Sequence, residues 1–184
     1  MTSLAGHLLV AMPQMEDRRF ARSVVYLCAH NAEGAMGIVV NKLLDELAWP
    51  KLMTQLGIES TEPAPAKPVH FGGPVEIGRG FVLHSADYVE SNTLVVGGNV
   101  ALTATLEILR AIGRGGGPKQ SLLALGYAGW GAGQLDAELQ ANGWLSVDSD
   151  ESIVFDPNLG DKWQRAFAKL GVDLLSLSGE AGRA

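Results

Sequence analysis

The stretch SVVYLCAHNAEGAMGIVVNK, Ser23 to Lys42, contains two short runs rich in β-branched and aliphatic residues, joined through Asn31-Ala32-Glu33. Each run is too short for a stable helix and has the composition of a strand. A link this short cannot carry a parallel crossover, so it predicts an antiparallel hairpin. Upstream, LLVAM (Leu8 to Met12) reads as another strand, separated from the hairpin by a polar loop containing Pro13 and Glu16 to Arg19. The chain therefore opens as an antiparallel sheet.

Downstream, Leu44 to Leu56 places apolar residues at 44, 47, 48, 52, 53 and 56, a spacing that predicts a helix with Pro50 in a first turn or at a kink. TEPAPAKP, ending at Pro68, predicts a surface loop. VHFGGPVEIGRGFVLHS and TLVVGG predict glycine-punctuated strands, and Asn99 is placed to cap a helix carrying Leu102, Leu106, Leu109 and Ile112. SLLALGYA predicts a buried strand, followed by the GWGAG loop and a helix with Leu135, Glu138, Leu139 and Asn142. SIVFD reads as a further strand, and Asp161 to Leu170 as a helix that Gly171 terminates. No fixed-period repeat occurs, and the order of elements predicts one α+β domain over residues 1–184.

Hydrophobic residues make up 47% of the 184-residue chain, enough for one sizeable core. Twenty acidic against fourteen basic side chains give a net charge of -6, which disfavours direct binding to nucleic acid. A single cysteine, Cys28, makes an internal disulfide impossible and fits a reducing compartment. The start of the chain lacks a basic segment before its apolar stretch, and no apolar run approaches the roughly 18 residues of a membrane span. Together these predict a cytoplasmic protein with no membrane association.

Glycine clusters are the first candidates for chemistry. Gly73 to Gly80 has the outer spacing of a phosphate loop, but Arg79 and Gly80 stand where Lys and Ser or Thr are required. Gly113 to Ser121 follows a helix and precedes a strand, the reverse of the order that aims backbone N–H groups at a phosphate. Gly126 to Gly133 runs strand, loop, helix, and is compatible with either a tight turn or a ligand-facing loop. His7, His30, His70 and His84 show no metal-ligand spacing, so neither metal nor cofactor is expected. His30 and His84 end apolar strands, where an imidazole serves either as a hydrogen-bonded structural group or as an acid or base in a cleft. Gln134, Asp136, Glu138 and Asn142, bracketed by Trp130 and Trp144, form either a solvated helix face or a polar set in a site.

In order along the chain, MPQMEDRRFARSVVYLCAHNAEGAMGIVVNK, FGGPVEIGRGFVLHS, LALGYAGWGAGQLDAELQANGWL and FDPNLGDKWQRAFAKLGVDLLSLSGEAGRA resemble the YqgE/AlgH family of bacterial proteins. The likeness runs from about Leu4 to Ala184. Matching positions are Pro13, Asp17, Phe20, Ser23, His30, Gly34, Gly37, Asn41, Gly72, Gly73, Pro74, Gly80, Phe81, His84, Gly126, Gly129, Trp130, Gly133, Gln134, Leu135, Glu138 and Trp144. Asp136 stands where glutamate is usual, and Ser178 where proline is common.

The resemblance implies a mostly antiparallel split sheet curled into a partial barrel with helices packed outside, and a C-terminal tail that packs. It also brings a transcriptional-regulator label, attached through alginate production in pseudomonads, but no assigned reaction, cofactor or catalytic residue. The leading expectation is a regulatory or interaction protein acting through a protein partner or a small ligand, with indirect rather than DNA-bound regulation. The alternative is a small-molecule binder or enzyme with a glycine-rich cleft. Its expected ligand-binding residues are Gly72, Gly73, Pro74, His84, Gly126, Gly129, Trp130, Gln134 and Glu138. A purely structural oligomer component is a third reading.

Overall fold

The computed structural model describes residues 3–55, 57 and 68–169. Strands β1 (His7–Ala11), β2 (Val24–Asn31) and β3 (Gly34–Val39) open the chain, and β2 and β3 form the expected antiparallel hairpin. Asn31 pairs with Gly34 across the turn, and the Asn31 side chain accepts from the Glu33 N–H at 2.8 Å. Next come β4 (Leu43–Ala48), α1 (Trp49–Gln55), β5 (Pro68–Phe71), β6 (Val75–Ser85), β7 (Leu94–Gly97) and β8 (Val100–Thr103). The chain continues through α2 (Leu106–Gly113), β9 (Ser121–Trp130), α3 (Gln134–Gln140), β10 (Trp144–Asp148), α4 (Glu151–Val154) and α5 (Lys162–Ala168).

Among the described residues the strands join one mostly antiparallel sheet, ordered β10-β1-β2-β3-β9-β6-β8-β7, which curls into a half-barrel. The β5–β9 pairing is parallel. Side chains from both faces are buried, which is why these strands read as nearly continuous apolar runs. One face gathers Leu8, Val10, Tyr26, Ile38, Leu83 and Ala124 beneath Ile153 and Val154 of α4 and Trp163 and Phe167 of α5. The opposite face is covered at one end by α1 and α2, through Leu52, Met53, Ile108 and Ile112 over Val69, Val82 and Leu123. At its other end Leu135 of α3 packs with Leu9, Val25, Val39, Trp130 and Trp144. No helix among the described residues is long and apolar enough to cross a membrane.

Three expectations need correction. Leu44 to Leu56 is not one helix: its first part is β4, which gains ladder bonds from β5, and the helix begins at Trp49 with Pro50 in its first turn. Tertiary pairing overrides the local periodicity there. Asn99 does not cap a helix. Val100–Thr103 is a fully buried strand paired with β6, Asn99 accepts from the Ala86 N–H, and Thr105 caps α2 by accepting from the Ile108 N–H. SIVFD is not a strand, because Asp150 Oδ1 accepts from the Ser152 N–H at 2.9 Å and starts a helical turn. The strand that pairs with β1 is instead β10. The TEPAPAKP segment before Pro68, the predicted helix end at Leu170 and Gly171, Ser178 and the C-terminal tail lie outside the described residues.

Candidate functional site

β9 is the axis of the candidate site. β5 lies along one of its edges and β6 along the other, so the link between them, Gly72 to Pro74, must cross β9. It crosses at Gly126 and Tyr127. A Cβ on Gly72 would stand 2.3 Å from the Gly126 carbonyl oxygen, one on Gly73 2.1 Å from the Tyr127 carbonyl carbon, and one on Gly126 2.2 Å from the Gly73 oxygen. Gly73 and Gly126 also hold left-handed φ values of 154° and 78°. These three glycines are needed where backbone meets backbone, so the close approach is by the chain itself.

Beyond the crossing, Gly129 and Trp130 emerge beside α3. Gly133, with φ 71°, precedes the helix without a side-chain cap, and Gln134 turns back so that its Oε1 accepts from the Gly131 N–H at 2.9 Å. Gln134 Nε2 donates to Glu138 Oε2 at 2.8 Å. Glu138 Oε1 accepts from both indoles, Trp130 Nε1 at 3.1 Å and Trp144 Nε1 at 3.0 Å. One carboxylate thus fastens α3 to β9 and β10. Phe20, from the β1–β2 loop, completes an aromatic cluster: its ring stacks on Trp130 at 6.5 Å and meets Trp144 edge-on at 5.7 Å. Arg19 lies 5.7 Å over the Phe20 ring and is held by Asp17 through Nε at 3.1 Å and Nη2 at 2.8 Å.

These groups surround a cleft of about 390 Å³. Of the residues anticipated from sequence, Pro74, Gly129, Trp130, Gln134 and Glu138 line it together. Met15, Asp17, Arg19, Phe20 and Trp144, with Val75, Ala141 and Gly143, complete it and were not anticipated as ligand-binding residues, although Asp17, Phe20 and Trp144 were among the family-motif positions. The rings already touch one another, so a ligand would lie across them rather than between them. A broader groove of about 570 Å³ adjoins the cleft, shares Val75, Gly129 and Trp130 with it, and carries Glu33, Glu76 and Arg79.

His84 does not join this group. It pairs with Ser121 at the far end of β9, nine residues from Trp130, or roughly 30 Å at strand rise. It is fully buried, and burial lowers its pKa against the opposing effect of the Ser85 carbonyl. Nδ1–H donates to the Ser85 carbonyl at 2.8 Å, leaving Nε2 to accept from Thr103 Oγ1 at 2.7 Å. Thr103 then accepts from Thr93 Oγ1 at 2.7 Å, and Thr93 accepts from the Glu90 N–H at 2.9 Å. Each proton in this chain has a destination, so both ring nitrogens of His84 are occupied.

His30 is also committed. Its Nδ1 accepts from the Leu4 N–H at 3.0 Å, which places the proton on Nε2, 3.3 Å from Asp136 Oδ1 but out of line for a hydrogen bond. The imidazole lone pair is therefore occupied, and Asp136 points at His30 instead of the cleft. Burial pushes the Cys28 thiol up to about 12, far from the thiolate that a nucleophile requires. Among the described residues no three His, Cys, Asp or Glu side chains converge in a way that could hold a metal ion.

Residues 8–175 match the AlgH-like family model. A UPF0301 protein of Rhodospirillum rubrum is 55% identical over 181 residues, covering 98% of this chain and 94% of that protein. A UPF0301 protein of Beijerinckia indica is 54% identical over 189 residues, covering 98% and 92%. The solution structure of the AlgH protein from Pseudomonas aeruginosa superposes with a TM-score of 0.81 at 42% identity, covering 96% of this chain and 94% of that one. A crystal structure of a Corynebacterium diphtheriae protein, 23% identical, shares the fold with a TM-score of 0.72 and covers 94% and 90%. The chain belongs to the AlgH-like family.

Proposed function

We propose that this protein is a cytoplasmic regulatory protein that works by recognition rather than catalysis, and that the cleft over Phe20 and Trp130 takes a small ligand. The observation that carries this reading is the Glu138 clamp: three donors fix the carboxylate, and with it the rings that floor the cleft. Such an arrangement is recognition chemistry, an apolar surface with a few oriented polar groups, in a cavity of ordinary ligand size. Regulation is indirect, because a net charge of -6 opposes approach to a polyanion.

The test is thermal unfolding of the purified protein against a panel of metabolites and nucleotides. A ligand at a hundred times its dissociation constant adds about 2.7 kcal/mol of stability. The expected result is a saturable rise in Tm that Phe20→Ala and Arg19→Ala reduce. A panel that gives no shift, or a shift indifferent to both variants, overturns the assignment of a small ligand to this cleft.

A further inference from the structure

A separate cleft, of about 370 Å³, lies where the β1–β2 loop enters β2 and the chain leaves β3. Its construction begins with Asn41, whose Oδ1 accepts from the Val24 N–H at 2.9 Å and whose Nδ2 donates to the Arg22 carbonyl at 2.8 Å. Asn41 therefore ties the two chain segments together and holds Arg22 at φ 57°, a left-handed value that a side chain with a Cβ rarely adopts. The conformation presents the guanidinium 4.6 Å over the ring of Trp163. That ring is itself fixed, because Trp163 Nε1 donates to the Ala11 carbonyl at 2.8 Å.

Lys42 stands on the same cleft, and partial burial lowers its pKa. Beneath the turn, fully buried Lys162 donates from Nζ to the Val40 carbonyl at 2.9 Å, adding a further cation next to the site. No acidic side chain is among the described residues that line the cleft. Asp156 and Asp161, the acids near α5, are engaged by Arg165. Neither exposed Arg22, whose guanidinium rests on Trp163, nor half-buried Lys42 has an ion-pair partner among the described residues, and a partly desolvated ammonium such as that of Lys42 is normally paired. Two unpaired cations, one in a strained backbone conformation, thus converge on a concave surface of a protein whose net charge is negative.

We propose that the cleft between Arg22 and Lys42 binds the phosphate group of a small phosphorylated molecule. A guanidinium fork and an ammonium point charge together match a dianionic phosphate, which offers several acceptor oxygens. Leu159, Gly160 and Gln164 line the rest of the cleft, where the organic part would lie. This site is independent of the aromatic cleft, and either one stands if the other fails.

Calorimetric titration at constant ionic strength, with phenyl phosphate as the probe, tests the assignment. Saturable binding is expected, weakened about tenfold or more by Lys42→Gln and by Arg22→Gly, with Lys42→Arg close to wild type. Glycine adopts φ 57° freely, so Arg22→Gly removes the guanidinium while keeping the turn, and near-UV circular dichroism verifies that each variant is folded. Ile77→Ala, at an exposed position of β6 that lines neither cleft, leaves phenyl phosphate binding unchanged. Absence of saturable binding, or binding indifferent to Arg22→Gly and Lys42→Gln, overturns the proposal. Benzoate binding as tightly as phenyl phosphate overturns the choice of phosphate. Displacement by equal phosphate concentrations of duplex DNA overturns the small-molecule class.

Discussion

Gly73 crosses Tyr127 backbone against backbone: a Cβ on Gly73 would lie 2.1 Å from the Tyr127 carbonyl carbon and 2.2 Å from its oxygen. Neither chain can yield, because Gly72 on one side is bonded to Leu125 and Val39 and β9 on the other is held at the centre of the sheet. Gly73→Ala is therefore expected to destabilise the protein by about 3 kcal/mol or more, combining a disfavoured φ with overlap of main-chain atoms. Gly78→Ala is the matched control, since its Cβ would meet nothing within 4 Å and no left-handed φ is required. Urea midpoints for both variants check this, and equal midpoints would contradict the crossing.

Glu138 carries a second expectation. Removing its carboxylate leaves two largely buried indole N–H groups without their acceptor, so Glu138→Ala is expected to cost about 2–4 kcal/mol. Because one oxygen serves both rings, a double-mutant cycle of Glu138→Ala with Trp130→Phe should show a coupling of about 0.5–3 kcal/mol. Additive losses in denaturant unfolding would mean that the bond between Glu138 and Trp130 contributes nothing.

What could be read from the sequence follows the range of the interactions. The β2–β3 hairpin depends on neighbours in the chain, and it folds as its composition predicts. Of the polar set after Trp130, Gln134 and Glu138 lie one helical turn apart and meet as that spacing predicts, whereas Asp136 turns to His30 and Asn142 lies beyond the end of α3. Gly72, Gly73 and Gly126 announce a close approach, but a sequence does not say whether a ligand or another strand comes close. β10 was missed because its partner β1 lies at the opposite end of the chain, and Phe20 and Arg19 because only the folded β1–β2 loop carries Phe20 onto Trp130 with Arg19 over it. His84 and Trp130 share a strand with ends too far apart for one cleft, which motif order alone could not reveal.

From that separation comes a third prediction. His84→Ala leaves a cavity and takes the acceptor from the buried Thr103 hydroxyl, so a loss of about 2–4 kcal/mol is expected. Ligand affinity at the aromatic cleft should remain within about threefold of wild type once the lower stability is allowed for. Titration well below the variant's Tm separates the two effects. A large affinity loss in folded His84→Ala protein would tie the two ends of β9 together energetically.

His70 supplies a pH dependence whose sign is fixed by burial. Its Nδ1–H donates to the Leu123 carbonyl at 3.0 Å, and its pKa falls from 6.5 to about 4, chiefly because burial disfavours the charged ring. The Leu123 carbonyl opposes the shift, while the Lys162 ammonium adds to it. Between those two pH values the unfolded chain binds a proton that the folded chain refuses. Stability therefore rises with pH across this window, is fully present above 6.5, and is lost as pH falls towards 4, by about 3 kcal/mol. His84, also held low by burial, acts in the same direction, so the difference between wild type and His70→Gln isolates the His70 contribution. The glutamine amide can still donate to Leu123 but does not titrate. Urea unfolding from pH 7 to pH 4.5 should show a smaller decline for His70→Gln than for wild type, while parallel declines would mean that His70 takes up its proton in the folded protein as readily as in the unfolded chain.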